Sequence, residues 1–228
     1  MIPDASTFSP LGAASIPLTQ YFEIHPVNPQ ARLVSQAVEI IRAGGLIAYP
    51  TDSCYALGCH IGDKEALERI RRIRKTDRHH HFTLVCDNLA QVARYARLGN
   101  AEFRMLKSVT PGPYTFLLPA TRETPRRVQH DRRRTIGVRI PNHAVALALL
   151  AELGEPLMSS TLALPGDDLP LTDGAAIRDR LDRLVDAVLD AGHCGIEPTT
   201  VVDLAVLPPT VVRAGRGSLE PLGLSAPV

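Results

Sequence analysis

Residues 45–58 read GLIAYPTDSCYALG, an apolar run that stops at Pro50 and gives way to Thr51, Asp52, Ser53 and Cys54 in consecutive places. Proline has no amide to offer a sheet ladder, so the strand carrying Leu46 to Tyr49 ends there. A polar mouth at a strand end is where ligands sit in open α/β sheets, although hydroxyls in such a turn also cap their own backbone. Working outward from this stretch, Leu33, Val34, Ala37, Ile40 and Ile41 have helical spacing, and Gly44-Gly45 stops that helix before the strand. Asp63 is placed to cap a helix that turns Leu67, Ile70 and Ile73 inward and surrounds them with arginines.

Strands are expected over Phe82–Cys86, Tyr114–Leu118, Thr135–Ile140, Leu157–Ser160, Thr200–Leu204 and Thr210–Arg213. Asp87 is read as the cap of one intervening helix and Asn142 as the cap of another that Gly154 ends. Ile177, Leu181, Leu184, Val185 and Val188 are read as one side of a long amphipathic helix. Alternating strands and helices predict an α/β fold, with a mixed sheet because some strand connections are short. The expected layout is a loose arm at 1–20, one domain at 21–222 and a short tail at 223–228.

The chain has 228 residues and a net charge of +1, enough length for one substantial core. Four cysteines without a paired framework suit a reducing cytoplasm, the expected location. No apolar run approaches the roughly 20 residues a membrane span needs. The basic charge is concentrated. Arg69 to His81 holds six Lys or Arg against one Asp, and Thr121 to Arg139 holds seven arginines. Together they carry over half of the 25 basic residues, which points to a basic cleft or face.

Hydroxyls and arginines recur at strand ends: Thr51 and Ser53, then Ser159, Ser160 and Thr161, then Thr199 and Thr200, with Arg139 and Arg213 as single cations. Arriving from separate parts of the chain, they suit a cleft for phosphate and carboxylate groups. No nucleophile–base pair stands out. His60, Cys54, Cys59 and the triple His79-His80-His81 lack paired metal-ligand spacing, and consecutive residues in a strand face opposite ways, so no metal site is expected. Neither a Walker loop nor GxGxxG after a strand is present.

In order and spacing, YPTDSCYALG, HHFTLVC, TPGPYTFLL, RRTIGVRIP, EPLMSSTLALPG, PTTVVDL and VVRAG resemble the YrdC-like threonylcarbamoyl-adenylate synthase superfamily, and more narrowly its YciO branch. The resemblance implies a single-domain twisted open mixed sheet with flanking helices around a concave basic cavity. It implies ATP with Mg²⁺, L-threonine and bicarbonate as ligands, in a reaction linked to tRNA modification. By the same resemblance Ser53, Tyr55, Arg139, Ser159 and Thr199 stand at threonine-binding positions, and Thr135, Arg213 and Thr161 at nucleotide positions. Arg74, Lys75 and Thr161 occupy catalytic ones.

Two motifs depart from that pattern. Active synthases carry Lys-x-Arg where this chain has Arg74-Lys75-Thr76, and Ser-x-Asn where it has Thr161-Leu162-Ala163. A cation and an amide are absent, so two functions are expected in competition: a slow adenylyltransferase, or a module binding double-stranded RNA or tRNA by charge and shape through Arg78, Arg132, Arg133 and Arg134.

Overall fold

The computed structural model describes residues 18–76 and 82–226. In chain order its elements are β1 (Gln20–Glu23), α1 (Ala31–Arg42), β2 (Ile47–Tyr49), β3 (Ala56–His60), α2 (Lys64–Arg74), β4 (Thr83–Val85), α3 (Leu89–Tyr95), α4 (Asn100–Val109), β5 (Tyr114–Pro119), β6 (Thr135–Arg139), α5 (Ala144–Leu153), β7 (Leu157–Thr161), α6 (Gly174–Leu181), β8 (Ala187–Asp190), β9 (Thr200–Asp203) and β10 (Thr210–Arg213). The strands form one mixed sheet in the order β1-β8-β2-β3-β7-β4-β6-β5-β9-β10. Antiparallel β2–β3, β3–β7 and β5–β6 pairs stand beside parallel β1–β8, β4–β6 and β5–β9 pairs. The expected α/β class and mixed sheet are the observed architecture.

Alternation along each strand feeds two cores, because successive side chains point to opposite faces. Leu46 and Ala48 join the larger cluster with α2, α3, α4 and α6, whereas Ile47 and Tyr49 join a smaller one with α1 and α5. The smaller cluster covers only part of its face. Towards β9 that face carries Thr83, Thr115, Leu117, Ser159 and Val201 instead, and among the described residues no helix lies over them. The opposite face stays apolar there, through Leu84, Phe116, Leu118, Ile136, Val138 and Val202.

Local signals explain the helix ends that matter for this layout. Asp63 accepts a hydrogen bond from Ala66 N at 2.8 Å, and Lys75 closes α2 in a left-handed conformation, φ 47°. The last turn of α2 thereby presents Arg74 to the open face. Gly44, at φ 85°, lets α1 turn back into β2, a backbone state that side chains disfavour.

Several expectations are corrected. The helix expected to run through Val188 ends at Leu181, and Val188 lies in β8 between β1 and β2. Arg183 adopts φ 62° there, with its amide on the Thr19 hydroxyl at 2.9 Å, so the chain leaves the helical path and the apolar Ala187-Val188-Leu189 run becomes a buried parallel strand. Strands β1 and β3 were not expected either. The single helix expected after Asp87 is two, split where Ala96 bridges Ala120, and Asn88 caps the first by accepting from Gln91 N. His143, not Asn142, is the N-cap of α5.

Replacing Asp63 by Ala removes the cap that starts α2. Stability should fall by about 1 kcal/mol in urea unfolding, with Asp63→Ser recovering most of it.

Candidate functional site

The uncovered face is the floor of a cavity of about 840 Å³. Its walls come from the Thr51–Tyr55 turn, the end of α2, the 163–170 segment, the 196–199 segment and β10.

The turn after Pro50 is self-bonded, and it also reaches outward. Thr51 Oγ1 donates to Cys54 O at 2.6 Å and accepts from Ser53 N at 3.2 Å. Asp52 turns the other way: its carboxylate accepts from Arg139 and, at 3.1 Å, from the Asn142 amide. Arg139 is only 8% exposed and would be costly to bury without that counter-charge. Thr51 Oγ1 takes a further bond from Arg139 at 3.3 Å. The turn therefore holds both Ser53 and the Arg139 guanidinium against the cavity.

On β7 the Ser159 hydroxyl donates to Leu57 O at 3.1 Å and receives the Tyr49 hydroxyl at 2.9 Å. Burial pushes Tyr49 up to about 12, which keeps it a proton donor in that bond. Ser160 Oγ accepts from Arg74. Thr199 and Thr115 share a 3.0 Å hydroxyl contact, and Arg213 donates to Thr199 O at 2.9 Å. Burial lowers the pKa of Arg74, and the neighbouring charge of Arg213 lowers it further. Burial lowers Arg213 as well. Guanidinium groups remain charged regardless, so Arg74 and Arg213 bring positive charge to the same cavity, which favours an anion there.

The structure thus brings Ser53, Arg74, Arg139, Ser159, Thr161, Thr199 and Arg213 to one cavity. Tyr55 and Thr135 are not among its lining residues, and both are buried; the Tyr55 hydroxyl donates to Gly192 O at 2.8 Å. Lys75 follows Arg74 as the helix cap and lies outside the lining. Of the arginines read as an RNA-binding set, Arg132 and Arg134 are exposed outside the cavity, whereas Arg133 lines it and pairs with Asp203 at 2.6 Å. Arg78 and His79, His80 and His81 lie outside the described residues.

Thr83 and Thr115 were not singled out from the sequence, and Asp52 was named in the polar mouth after Pro50 without a role. Thr83 and Thr115 each precede a buried apolar residue in their strand, and that alternation was the available signal. Ala163 also lines the cavity. Among the described residues no three His, Cys, Asp or Glu groups stand together to hold a metal, and no helix is long and apolar enough to cross a membrane.

Comparison with known proteins finds relatives that share the family and the fold. The family model Sua5_yciO_yrdC, described as Telomere recombination, matches residues 39–215. The solved structure of E. coli YciO superposes with a TM-score of 0.86 at 51% identity, covering 89% of this chain and 98% of that one. The threonylcarbamoyl-AMP synthase of Chromobacterium violaceum is 34% identical over 185 residues, 78% of this chain and 92% of its own. P. abyssi Sua5, solved in complex with L-threonine, superposes with a TM-score of 0.82 at 26% identity, over 90% of this chain and 60% of that one.

His143, close to the Asp52–Arg139 pair, gives the fold a pH dependence. Burial lowers its pKa from the ordinary 6.5, with Asp52 opposing and Arg139 assisting. The folded state favours the neutral ring, so this contribution is complete above 6.5 and is lost as pH falls below that value towards the lowered one. Urea unfolding between pH 7 and pH 5 should show a shallower loss of stability for His143→Gln than for the parent.

Proposed function

This chain belongs to the Sua5/YciO/YrdC family, and from that premise we propose that its cavity binds ATP and L-threonine together and forms threonylcarbamoyl-AMP slowly. The observation that carries this reading is the convergence of the hydroxyls of Ser53, Ser159, Thr161 and Thr199 with the cations Arg74, Arg133, Arg139 and Arg213 on one cavity. An amino acid offers a carboxylate, an ammonium and a hydroxyl, which fit hydroxyls beside one guanidinium; polyphosphate fits the remaining cations. The threonine complex of P. abyssi Sua5, similar in fold over most of this chain, supports the assignment.

In the proposed reaction the threonine nitrogen takes up bicarbonate with loss of water to give a carbamate. A carbamate oxygen attacks the α-phosphorus of ATP, and pyrophosphate leaves with its electron pair. ATP enters as the Mg²⁺ complex, so the metal comes with the substrate. Arg139 holds the threonine carboxylate, and Arg74 and Arg213 neutralise phosphate charge. Thr161 and the neighbouring Ser159 present hydroxyls between the two ligands.

The reaction is slow because two charge-handling groups of the active relatives are replaced. Thr76 stands in place of a cation at the end of α2, and Ala163 lines the cavity without an amide. Loss of one preorganised contact to developing charge costs on the order of a hundredfold in rate.

Titration calorimetry tests the binding half of this reading. The parent should bind ATP and L-threonine, and Arg213→Ala should weaken ATP roughly ten- to a hundredfold. ATP binding equally tight in a folded Arg213→Ala variant would place the nucleotide elsewhere.

Chromatographic product formation from ATP, threonine and bicarbonate tests the catalytic half. Thr76→Arg combined with Ala163→Asn should raise the rate by about a hundredfold. A parent already as fast as a full synthase would remove the explanation from these two positions.

A further inference from the structure

The cavity floor is two registered rows of side chains. One runs through Val85 and Arg139 and continues through Thr115, Val201 and Arg213. The other, about 6.6 Å along the strands, runs Ser159, Thr83, Gly137, Leu117 and Asp203. Gly137 contributes no side chain to the second row, and a Cβ there would crowd Thr83 Oγ1 at 3.0 Å and Phe82 O at 3.2 Å. The second row ends at Asp203, on the same face of β9 as the cavity-lining Val201.

Asp203 is 3% exposed, and its carboxylate is held from two sides, by Ala205 N at 2.9 Å and by Arg133 at 2.6 Å. Arg133 itself comes from the loop before β6. Its side chain is 39% exposed and forms part of the cavity wall. This separates it from Arg139, whose pairing with Asp52 leaves it 8% exposed. Two residues on, the Thr135 hydroxyl is buried and without a hydrogen-bond partner among the described residues, on the same face of β6 as Gly137 and Arg139. The far end of the second row thus holds a cation fixed by one bond, with guanidinium donors to spare, and an unmet hydroxyl nearby.

We propose that Arg133 is a specificity-determining residue of this cavity: docked on Asp203, it receives a terminal phosphate of a nucleoside polyphosphate and makes the site favour triphosphate over monophosphate. This rests on the nucleotide reading above and adds to it a residue that the lost cation at position 76 makes more important. A purely structural Arg133, present to neutralise Asp203, makes no distinction between nucleotides that differ only in phosphate number.

The test is titration calorimetry of ATP and AMP with the parent, Arg133→Gln, and Arg133→Gln combined with Asp203→Asn. The double variant leaves no buried carboxylate without its counter-charge. In both variants the ratio of ATP to AMP affinity should fall roughly ten- to a hundredfold, with AMP affinity held within about threefold. Four results overturn the proposal. An unchanged ratio, or ATP and AMP weakened in parallel, reduces Arg133 to a structural partner. A ratio restored in the double variant traces the loss to the orphaned Asp203. A parent that binds neither nucleotide removes the nucleotide reading, and this proposal with it.

Discussion

Everything about the site depends on one face of the sheet having too few helices. A β-strand must send alternate side chains to each face, and a face without cover must be polar or filled. Helices α1 and α5 cover β8, β2 and neighbouring strands, and the apolar cluster ends there. Beyond it β7, β4, β5 and β9 still turn apolar residues to the opposite, covered face, while their other positions carry Ser159, Thr83, Thr115 and Val201. A period of two, unsupported by helices on one side, thereby makes a trough with a rigid floor. Rigidity matters because convergent donors bind well only when their geometry is set before the ligand arrives.

The Asp52–Arg139 pair converts that trough into a charged site. A buried ion pair is a poor source of net stability, since the cost of taking both charges out of water offsets their attraction. Its value here is position. Asp52 bonds the Asn142 amide as well as Arg139, so the turn after β2 is tied to the start of α5. The same turn carries Ser53, and its Thr51 hydroxyl touches both Ser53 and Arg139. Hydroxyl and guanidinium are thus set by one small network, and displacing either disturbs the other.

Much of this was legible in the sequence, for a physical reason. Pro50 ends a strand whatever the fold, and Asp63 caps a helix through a local bond, so both signals survive without tertiary information. The strand-end groups Ser53, Arg139, Ser159, Thr199 and Arg213 were visible because polar residues interrupt apolar runs there. Strand β8 was illegible. Val185 and Val188 continue the helical spacing of Ile177 and Leu181, and only the pairing of β8 with β1 and β2 overrides it. Thr83 and Thr115 were hidden for the opposite reason: a threonine in a strand is ordinary, and its face is known only once the opposite face is seen to be buried. Arg133 was legible only in part. From composition it is one of three consecutive arginines, and the fold adds its pairing with Asp203, seventy residues later, and its place in the cavity wall.

The charge balance of the cavity then explains how the chain tolerates so many arginines in one place. Arg139 and Arg133 each meet a buried carboxylate, Asp52 and Asp203, from separate elements. Arg213 is satisfied by the Thr199 backbone carbonyl and hydroxyl, which accept bonds but bring no negative charge. Two of the cavity cations are therefore neutralised within the protein, and Arg213 is bonded without being neutralised. Such a distribution gives each of these three cations an acceptor within the protein and leaves a net positive charge among them. Full neutralisation would have removed the attraction, and none would have pushed the walls apart. The mixture of carboxylate and carbonyl partners is what lets one trough gather several cations and stay electropositive.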